Sequence, residues 1–318
     1  MKLIIQIPCF NEAETLPITL STLPRSVPGF DVVEWLIVDD GSTDETANIA
    51  KAEGVDHVIT HTSNQGLAHA FMTGLTACLK HGADVVVNTD ADNQYKSSNI
   101  PDLTKPIIEK EADLVIGTRP IIAISHFSRA KKILQKIGSS VVRIVSQTEV
   151  VDAPSGFRAM SKEAAQKMMV FSNYTYTLET IIQAGQKNMA IKSVPIEVNE
   201  NLRPSKLMSN IPSYICHSLV TMIRIFVIYR PFRFFASIAG VLFTIGFVIS
   251  IRFLWHVFNG EGDGHIQSLI LSSLLMGMGF QTLLIAFIAD LLAANRKLME
   301  EVRFTISNLE NHGNIESK

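Results

Sequence analysis

The sequence predicts an α/β domain with a mostly parallel β-sheet, followed by an amphipathic segment and two membrane-spanning helices. Two patterns predict this fold class. Short runs rich in Val and Ile alternate with helical stretches of roughly 10 to 17 residues between residue 3 and about residue 117. After residue 230, two long apolar stretches follow, with a short polar loop between them.

Five runs in the first third of the chain have the length and composition of buried strands. They are Leu3–Ile7, Val33–Asp39, His57–His61, Asp84–Asp90 and Asp113–Gly117, and helical patterns lie between them at Glu12–Leu23, Thr43–Glu53 and Gly66–His81. Repeated βαβ units of this kind form a parallel sheet that is covered on both faces. Ligands bind to such sheets beyond the carboxyl ends of the strands. Further along, we expect a helix at Tyr174–Gly185 and a strand at Ala190–Val198.

Composition excludes several classes of protein. The 318 residues exceed one average domain. The hydrophobic content of 47% is high for a soluble protein, and the excess lies after residue 230. A net charge of −2 gives no global basic field, so we expect no nucleic-acid partner. The three cysteines, Cys9, Cys78 and Cys216, form no CxxC pattern, which argues against a zinc site or a disulfide framework and fits a reducing compartment. The apolar run after Met1 is too short for a signal peptide and is expected to be the first strand.

The C-terminal third predicts a membrane anchor. Residues 207–232 have apolar residues at helical spacing, typical of a helix at the membrane surface. Within 233–294, two stretches at about 234–257 and 267–290 are long enough to cross a bilayer. The loop between them carries Glu261 and Asp263 without Lys or Arg, and basic residues flank the outer ends. We therefore expect an integral membrane protein of a prokaryotic plasma membrane, with residues 1–206, both termini and the charged segment 295–318 in the cytoplasm. A buried helical hairpin in a soluble protein is the alternative.

Polar clusters follow the predicted strands where each strand ends. They are Asn11-Glu12, Asp39-Asp40-Gly41-Ser42, Asn64 and Asp90–Gln94. Asp90-Ala91-Asp92 places two carboxylates one residue apart, and such a pair can hold Mg²⁺ or Mn²⁺ at a diphosphate. The Asp-x-Asp pattern alone would fit a surface turn as well, and Ser42 or Thr43 also fits a helix cap. Together, the clusters predict one acidic cleft at the carboxyl edge of the sheet.

Five motifs in fixed order resemble the family 2 glycosyltransferases, which have the GT-A fold. They are Pro8 with Asn11-Glu12, Asp39-Asp40-Gly41-Ser42, Asn64-Gln-Gly66, Asp90-Ala-Asp92-Asn-Gln94 and Gly117-Thr-Arg119, and the resemblance covers residues 3–205. The segment Asp152-Ala-Pro-Ser155-Gly156-Phe157-Arg158 and the two following apolar stretches further resemble polyprenyl-phosphate glycosyltransferases of the dolichol-phosphate mannose synthase and GtrB type. These enzymes move one sugar from a nucleotide donor to a polyprenyl phosphate.

The resemblance implies roles for individual residues. Those implied to bind the nucleotide sugar are Pro8, Asn11, Glu12, Asp39, Asp40, Asn64, Gly66, Asp90 and Ala91. Those implied to hold the metal and diphosphate are Asp90, Asp92 and Gln94. Those implied to lie near the acceptor phosphate are Arg119, Arg129, Ser155, Arg203 and Lys206. A surface salt bridge is the alternative role for Arg119, and contact with anionic lipid headgroups is the alternative for Arg129.

The expected reaction is a single displacement with inversion at the anomeric carbon, in which Asp92, Arg119 and Asp152 are the candidate catalytic residues. A phosphate monoester is largely ionised near neutral pH, so the acceptor needs little activation and a general base is not required. If one is used, Asp152 or Glu179 is the candidate; a turn or helix cap for Asp152 and an exposed helix face for Glu179 are the alternatives. By resemblance, UDP-glucose and GDP-mannose are the leading donors.

Other functions fit the sequence less well. A hydroxyl acceptor remains the main alternative, although the Gln-x-x-Arg-Trp pattern of processive synthases is absent around Trp35 and Trp255. An inactive nucleotide-binding scaffold would not need all the acidic motifs. A transporter would need more polar groups than Gln281 and Asp290 in its apolar helices, and a Rossmann dehydrogenase would need Gly-x-Gly-x-x-Gly after the first strand. Gly277, Gly279 and the charged C-terminal segment are compatible with a homo-oligomer.

Overall fold

A computed structural model of the protein describes residues 1–120, 139–170, 176–199, 220–260 and 266–316, except 141, 145, 221–222 and 225–226. The chain divides into two compact units. The first comprises Met1–Ser218 with Phe304–Lys318, and the second comprises Leu219–Arg303.

The first unit is built on a seven-stranded sheet. Its strands are β1 Lys2–Cys9, β2 Val32–Asp39, β3 His57–Thr60, β4 Val85–Asn88, β5 Leu114–Thr118, β6 Arg158–Ser161 and β7 Ile191–Pro195. Its described helices are α1 Leu16–Thr22, α2 Thr46–Ala52, α3 Leu67–Lys80, α4 Ile100–Ile108, α5 Lys162–Lys167 and α6 Thr177–Gln186.

The strand order is β3-β2-β1-β4-β6-β5-β7. β1 pairs in parallel with β2 and β4, and β5 pairs in parallel with β7, whereas β6 is antiparallel to β4 and β5. The predicted fold class, a mostly parallel α/β sheet, is confirmed. The strand order reverses at β1, so the crevice between the carboxyl ends of β1 and β4 is where a sheet of this type binds ligands.

Burial explains why the central strands are continuous apolar runs. Seven of the eight residues of β1 are buried, and all four of β4 are buried, because helices cover both faces of the sheet. Two buried polar residues interrupt this pattern, Gln6 in β1 and Asn88 in β4, and they are register partners. Both residues belong to the hydrogen-bond network of the candidate site.

The elements differ from the sequence expectations in a few places. α1 begins at Leu16, with Pro17 in its first turn, so the preceding residues including Glu12 form a loop. The helices α4 and α5 and the strand β6 were not predicted. β6 is a four-residue Arg-Ala-Met-Ser run, too short to show a strand period, and it is recognisable only from its pairing with β4 and β5.

The second unit contains the long helix α7 Pro231–Phe258 and most of a second long helix, α8 Ile266–Glu316. Both are long and apolar enough to cross a membrane. In the most apolar 18-residue stretch of each helix, only 11% of α7 and 17% of α8 is buried within the protein. The 28 residues of α7 extend about 42 Å, more than the hydrocarbon core of a bilayer. The two predicted spans lie within these helices. α8 continues without a break through most of the predicted charged segment 295–318.

Small residues bring α7 and α8 together. A Cβ on Gly246 would lie 2.8 Å from Met276 Cγ, and a Cβ on Gly279 would lie 3.2 Å from the carbonyl oxygen of Ala239. Ser272 Oγ donates a hydrogen bond to the carbonyl oxygen of Gly246 at 2.7 Å. Close backbone approach with hydroxyl bonds is the usual way for apolar helices to associate in a lipid phase. The predicted amphipathic segment 207–232 lies largely outside the described residues.

Candidate active site

The loops after β1 and β2 are joined to each other by side-chain hydrogen bonds. Asn11 has a left-handed backbone (φ 54°), which asparagine tolerates better than most residues. Its amide N–H donates to Ser42 Oγ at 2.9 Å, and its Oδ1 accepts from the N–H of Thr43 at 2.9 Å. The N–H of Glu12 donates to Thr46 Oγ1 at 2.9 Å. The first two sequence motifs therefore form one connected rim at the carboxyl edge of the sheet.

Asp39 and Gly41 form the tight turn that ends β2. Asp39 is buried, and its Oδ1 accepts from the N–H of Ser42 at 3.1 Å. Gly41 has a φ of 70°, and a Cβ there would lie 2.5 Å from the carbonyl carbon of Ser63. Only glycine fits this close approach. The Asp-Gly turn predicted from the sequence thus also brings the loop that follows β3 against β2.

The adjacent Asp40 holds the loop that contains the Asn64-Gln-Gly66 motif. Its Oδ1 accepts from the N–H of Gln65 at 2.9 Å, and its Oδ2 accepts from the N–H of Gly66 at 2.8 Å. Its Oδ1 also contacts His61 Nδ1 at 2.7 Å. Asp40 is almost fully buried, whereas Asn64 in the loop is exposed. This geometry favours a structural role for Asp40 in shaping the loop.

The carboxylates of Asp90 and Asp92 follow β4 at the reversal of strand order. Asp92 Oδ1 accepts from the N–H of Gln94 at 3.1 Å. Burial, followed by the nearby charge of Asp92, raises the pKa of Asp90 to about 7, although Arg119 and Arg158 act in the opposite direction. Two neighbouring carboxylates repel each other, and a divalent cation between them would remove that repulsion. The donor set therefore fits Mg²⁺ or Mn²⁺.

The described residues alone do not provide a complete set of side-chain ligands for such an ion. Among the described residues, no group of three or more His, Cys, Asp or Glu side chains could hold a metal ion. Magnesium sites of this type use one or two carboxylates and take their other ligands from substrate phosphates and water. The site is accordingly suited to a metal ion that arrives with a diphosphate.

The backbone of Gly156 lies directly against the carboxylate of Asp90. A Cβ on Gly156 would lie 2.9 Å from each oxygen of Asp90 and 2.9 Å from the hydroxyl of Tyr176. The N–H of Gly156 donates to the Tyr95 hydroxyl at 3.0 Å, and its carbonyl oxygen accepts from Asn88 Nδ2 at 2.9 Å. The absence of a side chain at 156 lets the carboxylate lie directly on this peptide.

Arg119 and Asp152 form a buried ion pair, although 33 residues separate them. Arg119 Nε donates to Oδ2 of Asp152 at 2.7 Å, Arg119 Nη2 donates to Oδ1 at 2.9 Å, and the backbone N–H of Arg119 donates to Oδ2 at 3.2 Å. Asp152 is fully buried, and Arg119 is 8% exposed. The pKa of Arg119 is raised, since burial, which acts in the opposite direction, is outweighed by Tyr95 and by the carboxylate of Asp152. The surface salt bridge weighed for Arg119 is wrong, because the pair lies inside the protein.

Arg158 and Tyr176 are buried functional candidates that were not singled out from the sequence. Arg158 Nε donates to the carbonyl oxygen of Ser155 at 2.8 Å, Nη2 donates to that of Ala153 at 2.9 Å, and Nη1 donates to Thr180 Oγ1. Its burial lowers the pKa of the guanidinium to about 10. Burial, followed by the charge of Asp90, raises the pKa of Tyr176 well above its usual range. Arg158 could have been identified from the Ser-Gly-Phe-Arg motif, whereas no sequence motif marks Tyr176.

The remaining predicted residues are placed as follows. Pro8, Ala91 and Ser155 are buried, and Ala91 accepts a hydrogen bond through its carbonyl oxygen from Thr19 Oγ1 at 2.9 Å. Within the described part of the chain, the hydroxyl of Ser155 has no hydrogen-bond partner. Glu179 is only 6% exposed, so the exposed helix face considered for it is wrong. Arg129, Arg203 and Lys206 lie outside the described residues.

Comparisons with known proteins agree with this architecture. The family model described as glycosyl transferase family 2 matches residues 4–169. The chain is 30% identical over 222 residues to an undecaprenyl-phosphate mannosyltransferase of Micrococcus luteus, covering 66% of this chain and 89% of that one. It is 28% identical over 214 residues to a UDP-N-acetylglucosamine–dolichyl-phosphate N-acetylglucosaminyltransferase of Methanococcus voltae, covering 60% and 83%.

A solved structure shows the same fold. It is glucosyl-3-phosphoglycerate synthase from Mycobacterium tuberculosis in complex with Mn²⁺, UDP and glucosyl-3-phosphoglycerate. The TM-score is 0.55 with 20% identity, and the match covers 70% of this chain and 79% of that one. At this identity the likeness concerns the fold alone.

Proposed function

The chain belongs to glycosyltransferase family 2, and on that basis we propose that it transfers one sugar, with inversion, from a UDP- or GDP-sugar to polyprenyl phosphate at a membrane. The observation that carries the proposal is that two acidic residues, Asp90 and Asp92, lie near the basic Arg119 at one edge of the sheet. Asp90 and Asp92 follow β4, and Asp90 lies within the electrostatic reach of the buried Arg119. A cation site beside a fixed guanidinium suits a reaction that joins a phosphate acceptor to a diphosphate donor.

The nature of the acceptor is supported by sequence similarity and by the apolar helices. Both relatives described above are named for polyprenyl or dolichyl phosphate acceptors, and the chain covers more than three quarters of each. The helices α7 and α8 are long and apolar enough to hold the protein in the same bilayer as such an acceptor. The two relatives are named for different sugars, mannose and N-acetylglucosamine, so both belong in the donor panel together with the expected glucose.

In the proposed reaction, an oxygen of the acceptor phosphate forms a bond to the anomeric carbon of the donor sugar. The bond from that carbon to the nucleoside diphosphate breaks, and the diphosphate leaves with the electron pair. The bound metal ion would stabilise the charge on the leaving diphosphate. Asp90 and Asp92 would hold it, and Asp39 with the loop that Asp40 holds would bind the nucleoside. The acceptor phosphate is already ionised, so no residue needs to remove a proton.

Arg119 and Asp152 have distinct parts in this proposal. The guanidinium of Arg119 contacts the acceptor phosphate, and Asp152 fixes its orientation. Both oxygens of Asp152 already accept hydrogen bonds from Arg119, so Asp152 is poorly placed to act as a general base. Arg129, Arg203 and Lys206 remain proposed acceptor residues on the resemblance alone.

The test is transfer of radiolabelled sugar from a panel of UDP- and GDP-sugars to polyprenyl phosphate, in detergent with Mg²⁺ or Mn²⁺. We expect a labelled lipid with the wild type and its loss in Asp92→Ala and after chelation of the metal. Asp102→Ala is the matched control, because Asp102 is an exposed carboxylate on α4. Metal-dependent nucleotide binding without any labelled lipid would refute the phosphate acceptor and favour a hydroxyl acceptor instead.

A further inference from the structure

The peptide of Gly156 is held on both sides by buried side chains. Its N–H donates to the hydroxyl of Tyr95, and its carbonyl oxygen accepts from Asn88 Nδ2. A buried backbone N–H or C=O group needs a hydrogen-bond partner, which can be another backbone group, a side chain or water. Here side chains from different parts of the chain make these bonds, and the hydroxyl of Tyr176 also donates to the carbonyl oxygen at 3.4 Å. The position of this peptide therefore depends on these three side chains.

The orientation of the Asn88 amide is determined by its surroundings. The carbonyl oxygen of Gly156 can only accept, so the atom of Asn88 that faces it must be the NH₂ group. The Oδ1 of Asn88 then faces Gln6 on the neighbouring strand and accepts from Gln6 Nε2 at 2.9 Å. The same Asn88 NH₂ group donates its second hydrogen to the hydroxyl of Tyr176 at 2.8 Å. All three side chains are buried, so water cannot replace these bonds.

The two tyrosine rings are themselves fixed by stacking. Tyr95 stacks on Phe157 with ring centroids 5.1 Å apart, and Tyr176 stacks on Phe71 at 3.9 Å with nearly parallel planes. Offset or parallel stacking of buried rings adds to their packing energy and restricts their motion. The two hydroxyls are therefore presented to Gly156 and Asn88 from rigid supports.

The carboxylate of Asp90 rests on this fixed peptide. Both of its oxygens lie 2.9 Å from the place where a Cβ on Gly156 would be, and so does the Tyr176 hydroxyl. We propose that Tyr95, Asn88 and Tyr176 form a clamp on Gly156 that positions Asp90 for the metal ion. The three are positioning residues, since they act on the metal only through Gly156 and Asp90. This inference rests on the proposed metal-dependent transfer.

The test is the affinity of the full-length protein in detergent for Mn²⁺ alone, measured by electron paramagnetic resonance of the free ion. Tyr95→Phe and Tyr176→Phe each remove one hydroxyl of the clamp and keep the stacked ring. We expect each to weaken Mn²⁺ binding by about tenfold, as is usual for residues that support a metal ligand. Thermal melting is measured in parallel to show that the variants remain folded.

A matched control separates positioning from general stability. Thr104 is fully buried on α4, and its hydroxyl donates to the carbonyl oxygen of Ile100 in the same helix at 3.0 Å, so it is not one of the groups that bond Gly156. Thr104→Val also deletes a buried hydroxyl while keeping the shape, and we expect its Mn²⁺ affinity to stay within twofold of the wild type. If both tyrosine variants also stay within twofold while the wild type binds Mn²⁺, the clamp is refuted and the proposed function stands. If the wild type does not bind Mn²⁺, the proposed metal site is refuted together with the clamp.

Discussion

Replacing Asp152 by asparagine tests how the buried Arg119 is held. The substitution keeps the shape of the side chain and removes its charge, so a guanidinium that is 8% exposed loses its carboxylate partner. Two bonds from the guanidinium, at 2.7 and 2.9 Å, and one from the backbone at 3.2 Å are weakened together. Leaving one charge of a buried pair without its partner costs about 3–5 kcal/mol.

This loss is large enough to be measured by thermal melting. For a unit of this size, about 2–4 °C of melting temperature corresponds to 1 kcal/mol, so Asp152→Asn should lower the midpoint by about 10 °C. Trp35 is buried in the first unit, and Trp255 lies on α7. In a Trp255→Phe background, tryptophan fluorescence therefore reports only on the unit that contains the ion pair.

A double substitution separates stability from activity. Arg119→Met combined with Asp152→Leu removes both charges, and such replacements by apolar residues are often neutral for stability. We expect the midpoint of the double variant to lie within a few degrees of that of the wild type. We also expect sugar transfer to be lost, because no guanidinium is left to contact the acceptor phosphate. A melting midpoint of Asp152→Asn within 2 °C of the wild type, or an active double variant, would refute the role assigned to this pair.

Three further predictions concern other parts of the molecule. In Gly156→Ala, the added methyl would lie 2.9 Å from both oxygens of Asp90, so we expect the carboxylate to be displaced and Mn²⁺ binding to weaken by about 10–100-fold in the binding assay. Asp40→Asn weakens the hydrogen bonds between Asp40 and the loop amides, including that of Gly66. The KM for the nucleotide sugar should therefore rise about tenfold with little change in kcat. An unchanged KM would contradict this role. Gly246→Val adds a Cβ that would lie 2.8 Å from Met276 Cγ, so we expect α7 and α8 to separate. The separation would be measured as loss of a disulfide cross-link engineered between the two helices, and an undiminished cross-link would contradict the packing.

Local sequence patterns were sufficient for the fold class, and they predicted a candidate site at the carboxyl edge of the sheet. The alternation of Val- and Ile-rich runs with helical periods predicted the parallel strands, because each buried strand carries its pattern within a few residues. The Asp90-Ala91-Asp92 motif was found in the same way, and the carboxyl ends of parallel strands necessarily meet at one edge. The two apolar helices were predicted from length and composition alone.

The sequence by itself therefore determined the sheet, the apolar helices and the acidic edge, all of which depend on neighbouring residues. Only the tertiary structure decided what each polar residue contacts. Asp40 holds a loop 25 residues away, Arg119 pairs with Asp152, and Asn88 reaches Gly156 across the sheet. The short strand β6 begins two residues after Gly156 and is too short to show an alternating hydrophobic pattern. Its conformation depends on antiparallel pairing with β4 on one side and β5 on the other. Such pairings depend on distance in space, and the spacing of residues along the chain does not encode them.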